Sequence, residues 1–393
     1  MNDILYSENV QILKKDIYNT RFDEIESMGL LGAYLTLSAN LATYFPQFSN
    51  NEHYEIIQNI QFHRSLSNMD QHFFYLLDEL EINDPNKVVE SSLETGHIFV
   101  TYHTGSYRMF IQHLNKTDVP LCLVTQEQFI KEQGETVKKL FKEVSNSKNK
   151  ELDILPAENP RLLFELISRL RKGISVVFYI DGNTGATDKK LSDNKNLLKI
   201  DFLNHHIYAR QGIALLAYLS KAPLAIALAK RDENLTNTVD IKLVDTTKMM
   251  EDFDRGEFVN IVTKKLYGEL EQFLEKNLEQ WEGWFYLHKF FETEIMEENL
   301  EASINTDIYS NESITVVLDQ FIHLLKYDDE HIFLVNKKEY QVMTVTSDLY
   351  ELLLFFKEPK KVIVNEELSV HDQIVDWKDI EELIEMNLIK PLG

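Results

Sequence analysis

The chain has 393 residues, 44% of them apolar and 11% aromatic, and a formal net charge of −24. That length favours two domains over one core, and that composition excludes a disordered polymer. The negative charge argues against a general nucleic-acid surface and against broad attraction to anionic lipid, because both need clustered cations.

Met1 to Lys15 holds no long apolar run, so no signal peptide is expected there. No stretch of about 20 apolar residues occurs, so no transmembrane helix is expected. The expected location is the cytoplasm, with contact to the inner membrane peripheral at most. Through residues 8–80 apolar side chains recur at three- and four-residue spacings, notably Leu30 to Leu41 and Tyr54 to Leu80, which predicts helices. Pro46 stops one of them. Ser49 and Glu52 form a capping box for the next, each satisfying a free amide of the first turn.

From about residue 97 the pattern alternates. Strands are predicted at 98–102, 120–124, 152–155, 174–180, 223–229 and 238–244. Helices are predicted at 106–114, 126–143, 160–172, 209–220 and 258–279. The run Ile174 to Ile180 has no polar alternation and reads as a strand covered on both faces. The expected fold class is α/β, a mixed and mainly parallel sheet covered by helices, within one domain spanning 1–293 whose helical N-terminal part is 1–85. Cys122, the one cysteine, lies in such a strand and reads as core and not as a nucleophile. No Cys/His spacing suggests a metal. Residues 182–199 open on Gly182-Asn183-Thr184-Gly185 after a strand and read either as a surface excursion or as a lid.

Residues 294–312, with Glu294, Glu297, Glu298, Glu301, Asp307 and Glu312, form the acidic linker of the chain. A β-hairpin follows at 332–345, then helices at 347–357 and 376–386 and a short strand at 388–390. Together they predict a small winged-helix domain over 313–393.

The chemistry-bearing stretch is Gly96 to Arg108. A short apolar run ends in His103, and reactive groups in open α/β sheets sit just past the carboxyl ends of strands. On spacing alone a lone histidine after a strand is more often structural, and it is the rest of the chain that raises His103. Five stretches taken together resemble the bacterial lipid A biosynthesis (late) acyltransferases, of the lysophospholipid-acyltransferase-like family. They are Asn40-Leu41 through Phe45-Pro46 to Ser49 and Glu52; His103 to Arg108; Tyr179-Ile180-Asp181-Gly182; Ile200 through Gly212 to Arg231; and Gln280-Trp281-Glu282-Gly283-Trp284 with His288.

The resemblance implies an acyltransferase fold, with an acyl carrier protein or CoA thioester as co-substrate and no bound cofactor. It makes His103 the general base that takes a proton from an acceptor hydroxyl or amine. In the family an acid stands five residues after that histidine; here the position holds Arg108. A guanidinium accepts no hydrogen bond and opposes formation of imidazolium. Three outcomes stay open: Asp181 orients His103 instead, Arg108 binds an anionic group of the acceptor, or acyl transfer is lost. Arg210, just before Gly212 at a helix start, is a candidate for a phosphate or for an ordinary ion pair. Tyr102 and Tyr107 are candidates for an acyl groove or for core. His205 and His206 are adjacent and point to opposite faces if in a strand. Trp281 and Trp284 read as packing.

More loosely, residues 332–345, Ser347 to Phe356 and Leu383 to Ile389 resemble the winged-helix domain of the PQQ-biosynthesis peptide chaperone and of recognition elements in ribosomal-peptide modification. That resemblance implies a precursor peptide as partner, bound as an added strand. The expected activity is therefore acyl transfer from a carrier thioester, to an acceptor that such a peptide would supply. The alternative is a catalytically inactive acyltransferase-fold protein that presents a peptide to a partner enzyme.

Overall fold

A computed structural model describes residues 2–20, 28–145, 151–182, 196–290, 313–337, 341–371 and 373–392. Most of the loop 182–199 and all of the acidic linker 294–312 lie outside the described residues. The N-terminal part is helical: α1 (Asn2–Asn19), α2 (Met28–Tyr44) and α3 (Asn50–Asp70), followed by the one-turn helices α4 (Leu76–Glu79) and α5 (Val88–Ser91). The capping box at the start of α3 forms, with Glu52 accepting from the Ser49 amide at 2.7 Å and Ser49 Oγ accepting from the Glu52 amide at 3.4 Å.

The chain divides into two compact units. One comprises 1–19 and 56–291, the other 20–55 and 292–393. The boundary runs through α3, and residues 20–55, placed by the sequence reading in the first domain, cluster with the C-terminal segment.

The first unit is built on a seven-stranded sheet. Its strands are β1 (Glu81–Asn83), β2 (Ile98–Thr101), β3 (Leu121–Thr125), β4 (Asp153–Pro156), β5 (Ser175–Tyr179), β8 (Leu224–Arg231) and β9 (Asn237–Val244), in the order β1-β9-β8-β2-β5-β3-β4. Every neighbouring pair is parallel except β8 with β9. A separate antiparallel hairpin, β6 (Leu197–Phe202) and β7 (His205–Arg210), precedes the helix α9 (Gly212–Ser220). The remaining helices are α6 (Tyr107–Lys116), α7 (Glu127–Val144), α8 (Leu162–Arg171), α10 (Thr246–Asp252) and α11 (Arg255–Asn277).

Side chains alternate across the sheet, as the period of two requires. Phe99, Leu121, Leu123, Val177 and Ala225 share a core with Phe110 and Leu114 of α6 and Phe141 of α7. On β2 every residue is buried, which is the burial expected of a parallel strand covered on both faces. The helices α8 and α11 lie against β5 and β8.

In the second unit β10 (Ser313–Leu318) pairs with β14 (Lys360–Ile363) and β17 (Ile389–Leu392). A second sheet places β12 (Ile332–Asn336) between β11 (Ile322–Lys326) and β13 (Gln341–Thr344), and β15 (Leu368–Val370) pairs with β16 (Gln373–Val375). The helices Ser347–Phe355 and Trp377–Glu385 complete it. This is more strand than a hairpin with helices.

The predicted hairpin 332–345 is β12 and β13, and β13 is the edge strand, paired with β12 alone among the described residues. Its first strand, β12, has both edges paired, and both of its faces are buried: Phe333 and Val335 are as inaccessible as Ile332 and Leu334. β11 and β13 pair its edges, Leu334 joins the core of the tail, and α2 packs on β11 and β12. Ser38 of α2 stands 3.2 Å from Nε2 of His323, and Lys337 donates to Thr43 at 3.2 Å. Residues 20–55 thus pack on the tail through α2, while the apolar core from Ile314 to Ile389 is made of tail residues.

Candidate active site

The parallel pairing of β2 with β5 sets Thr101 opposite Tyr179. Two residues further along each strand stand His103 and Asp181, so equal register brings them side by side at the carboxyl end of the sheet. Nδ1 of His103 lies 2.8 Å from Oδ1 of Asp181, and the His103 amide donates to Oδ2 at 2.9 Å. The indole of Trp281 donates to the same Oδ2 at 2.7 Å. Asp181 thus meets three partners with only 2% of its side chain exposed, as a buried carboxylate requires. With Nδ1 turned to Asp181, Nε2 of His103 has no hydrogen bond to a described residue. Tyr107 and Tyr179 pack against the imidazole with ring centroids 4.8 Å away. The hydroxyl of Tyr286 lies 3.4 Å from Nδ1. Burial alone would lower the imidazole pKa; the charge and hydrogen bond of Asp181, helped by Glu282, more than offset it and hold the pKa above the ordinary 6.5.

The turn after His103 is locked from two sides. The Glu282 amide donates to the His103 carbonyl and the Gly105 amide donates to the Gln280 carbonyl, both at 2.9 Å. Gly105 has φ +47°, and a Cβ there would sit 2.8 Å from the Ala229 carbonyl oxygen and from the Lys230 Cα. Only glycine fits such a site. Ser106 donates to the Asp70 carboxylate and accepts from Arg231. Arg231 also donates to Asp70 at 2.8 Å, with neither side chain exposed, and Tyr6 donates to the other Asp70 oxygen at 2.7 Å. Gln280 closes the set, accepting from the Arg231 amide at 2.7 Å and donating to its carbonyl at 2.8 Å. A buried charge pair this well partnered is costly to break, because either survivor would be an uncompensated charge.

His103 lies on the wall of a cavity of about 1040 Å³. Most of the lining is apolar, including Ile111, Leu123, Phe129, Phe141, Leu166, Phe178 and Leu216. Around His103 the polar lining carries Arg108, Glu282 and Tyr286, with Gln112 one helical turn beyond Arg108; Gln126, Glu158, Asn159 and Arg210 line the cavity as well. A concave, largely apolar site with a few convergent polar groups is the usual form of a small-molecule pocket.

Of the residues singled out in the sequence, His103 and Asp181 come together. Arg108 and Tyr107 line the cavity beside them. Arg210 ends β7 and also lines it, with burial pulling its pKa below the ordinary value. Tyr102 does not line it: the side chain is fully buried and its hydroxyl donates to the Leu266 carbonyl under α11. Successive residues at a strand end face opposite ways, which sends Tyr102 inward and His103 outward. His205 and His206 sit exposed on β7, and His206 pairs with Asp201 at 2.8 Å. Cys122 is buried, and burial together with Asp153 pushes its thiol up to about 12, consistent with core. Trp281, expected as packing, is a direct partner of Asp181. Glu282 and Tyr286 belong to the site although sequence reasoning does not single them out as site residues. The signal that points to them is the segment Gln280 to Trp284, whose charge and indoles are unusual for a plain helix end.

Comparison of the chain with protein-family models and with curated proteins returns no match.

Proposed function

We propose that this chain is an acyltransferase that moves an acyl group from a carrier thioester, acyl carrier protein or CoA, to a hydroxyl or amine acceptor. The observation that carries the reading is the His103–Asp181 pair, 2.8 Å apart, on the wall of a largely apolar cavity of about 1040 Å³. In this reading the acyl chain occupies the apolar length of the cavity, each buried methylene contributing about 0.8 kcal/mol. His103 Nε2 takes a proton from the acceptor as its oxygen or nitrogen attacks the thioester carbonyl. Asp181 stabilises the imidazolium that results and fixes the tautomer, as the third member of a base-assisted acyl-transfer triad does. The tetrahedral adduct then collapses. The C–S bond breaks, and the imidazolium returns the proton to the sulfur, giving a free thiol.

The acid that Arg108 displaces from its expected position is, in this reading, supplied by Asp181 from just past the adjacent strand. The test is to offer acyl-CoA and acyl carrier protein thioesters of graded chain length with acceptor mixtures and to follow thiol release. Release that depends on chain length and on His103 supports the reading. Thiol release no faster than the uncatalysed rate with every donor would remove it.

A further inference from the structure

Arg108 and Gln112 stand one turn apart on α6, and both line the cavity, as Glu282 does. Arg108 donates to Ser67 at 3.0 Å and its guanidinium lies 4.3 Å from the centre of the Tyr107 ring. Its Nη1 comes no nearer than 3.8 Å to Oε1 of Glu282, which is an ion pair without a hydrogen bond. Arg64 approaches the other Glu282 oxygen only to 3.7 Å. Oε1 of Glu282 and Oε1 of Gln112 are both buried with no hydrogen bond to a described residue, and Gln112 is 7% exposed. Two buried oxygen acceptors without hydrogen-bond donors, on residues that line the cavity of His103, are expensive to keep unless a ligand supplies the donors.

We infer that this polar end is the acceptor site, and that the acceptor is a small zwitterion: a primary amine, held by Glu282 and Gln112, with an anionic group a few bonds away held by Arg108. The inference rests on the acyl-transfer reading above and specifies its substrate. A hydroxyl offers one donor, whereas an ammonium offers three and a positive charge, which suits a carboxylate and an amide oxygen together. The planar guanidinium suits a carboxylate or phosphate. With the orienting acid just past β5, position 108 is free to hold a cation toward the substrate. In the reaction the bound ammonium first loses one proton to water. The amine nitrogen then attacks the thioester carbonyl, His103 takes the second proton, the C–S bond breaks and that proton goes to the leaving sulfur. The products are an N-acyl amide, a thiol and one proton in solution.

The experiment uses the full chain with palmitoyl-CoA and, separately, glycine, serine, O-phosphoethanolamine, ethanolamine and glycerol 3-phosphate, with products read by mass spectrometry. The expected product is N-acylated zwitterion, with kcat/KM about ten- to a hundredfold above that for ethanolamine, the span of one charge-assisted hydrogen bond. Preference for the amino acids over O-phosphoethanolamine, or the reverse, tells which anion Arg108 takes. Arg108→Ala should remove the advantage over ethanolamine, and Glu282→Gln should raise KM for the amine. O-acylation of glycerol 3-phosphate without N-acyl product, or equal turnover of ethanolamine, would overturn the inference and leave the acyl-transfer reading standing. Absence of His103-dependent thiol release with every acceptor would overturn both.

Discussion

Acid should unfold this protein well above the range where carboxylates titrate. The cause is a set of buried and half-buried histidines held in the neutral form. In the second unit burial pulls His53 down to about 4 and His323 down to about 3, the latter helped by Lys337. In the first unit burial does the same to His63, to about 3, and to His288, to about 4, and it lowers His97 and His113 in the same direction. An unfolded histidine protonates near 6.5, so below that pH the unfolded chain binds protons that the folded chain refuses. Stability present above 6.5 is then lost as pH falls toward the folded values. Between pH 7 and pH 5 each of His53, His323, His63 and His288 costs about 2 kcal/mol, so the pair in each unit costs that unit about 4 kcal/mol. His103, with its pKa raised, works in the opposite sense: its contribution is complete below 6.5 and fades as pH rises through its folded value. Lys337, lowered to about 8, is charged in both states throughout this window and contributes almost nothing there. A domain of ordinary stability, roughly 5–15 kcal/mol, would lose a large part of it at pH 5. Urea unfolding at pH 7 and pH 5, followed by tryptophan fluorescence, measures the difference. Trp281 and Trp284 report the first unit and Trp377 the second, so Trp377→Phe separates them. Equal midpoints at the two pH values would show that these histidines are not held neutral, and the linkage argument would fail.

Two further perturbations probe the site itself. Asp181→Asn should keep the fold yet lower kcat by up to about 10⁴, and the acidic limb of the pH–rate profile, above pH 6.5 in the wild type, should move to lower pH because burial then acts on His103 without the carboxylate. A limb that stays in place would mean that Asp181 does not set the His103 pKa. Gly105→Ala should destabilise by at least about 2 kcal/mol, combining a positive φ with a Cβ driven into the Ala229 backbone; an unchanged melting temperature would refute the crowding of that turn against β8.

How much of this is readable in the sequence follows from how local each signal is. Strands such as 175–179 and helices such as 127–144 are legible because their periods differ and their ends carry turn residues. The β6–β7 hairpin is not, and the predicted helix 209–220 wrongly takes in Ala209 and Arg210, which end β7. The turn residues of that hairpin, Leu203 and Asn204, both have positive φ, 49° and 63°, but lack the glycine that marks such turns. The pairing of His103 with Asp181 is legible because both end predicted strands. The Trp281 contact is not, since indole and carboxylate are 100 residues apart. Nor is the union of 20–55 with the tail, which rests on contacts such as Ser38 to His323, separated by 285 residues. Burial and pairing over such distances leave no period in the chain.

The central claim is that His103, oriented by Asp181, is a base for acyl transfer beside an acyl-chain cavity. The most direct measurement is thiol release from long-chain acyl-CoA by the wild type and by His103→Gln, with circular dichroism confirming an unchanged fold. The account predicts turnover by the wild type and a loss of about 10²-fold or more in the variant, the usual contribution of a general base. Turnover by the variant at the wild-type rate would contradict it.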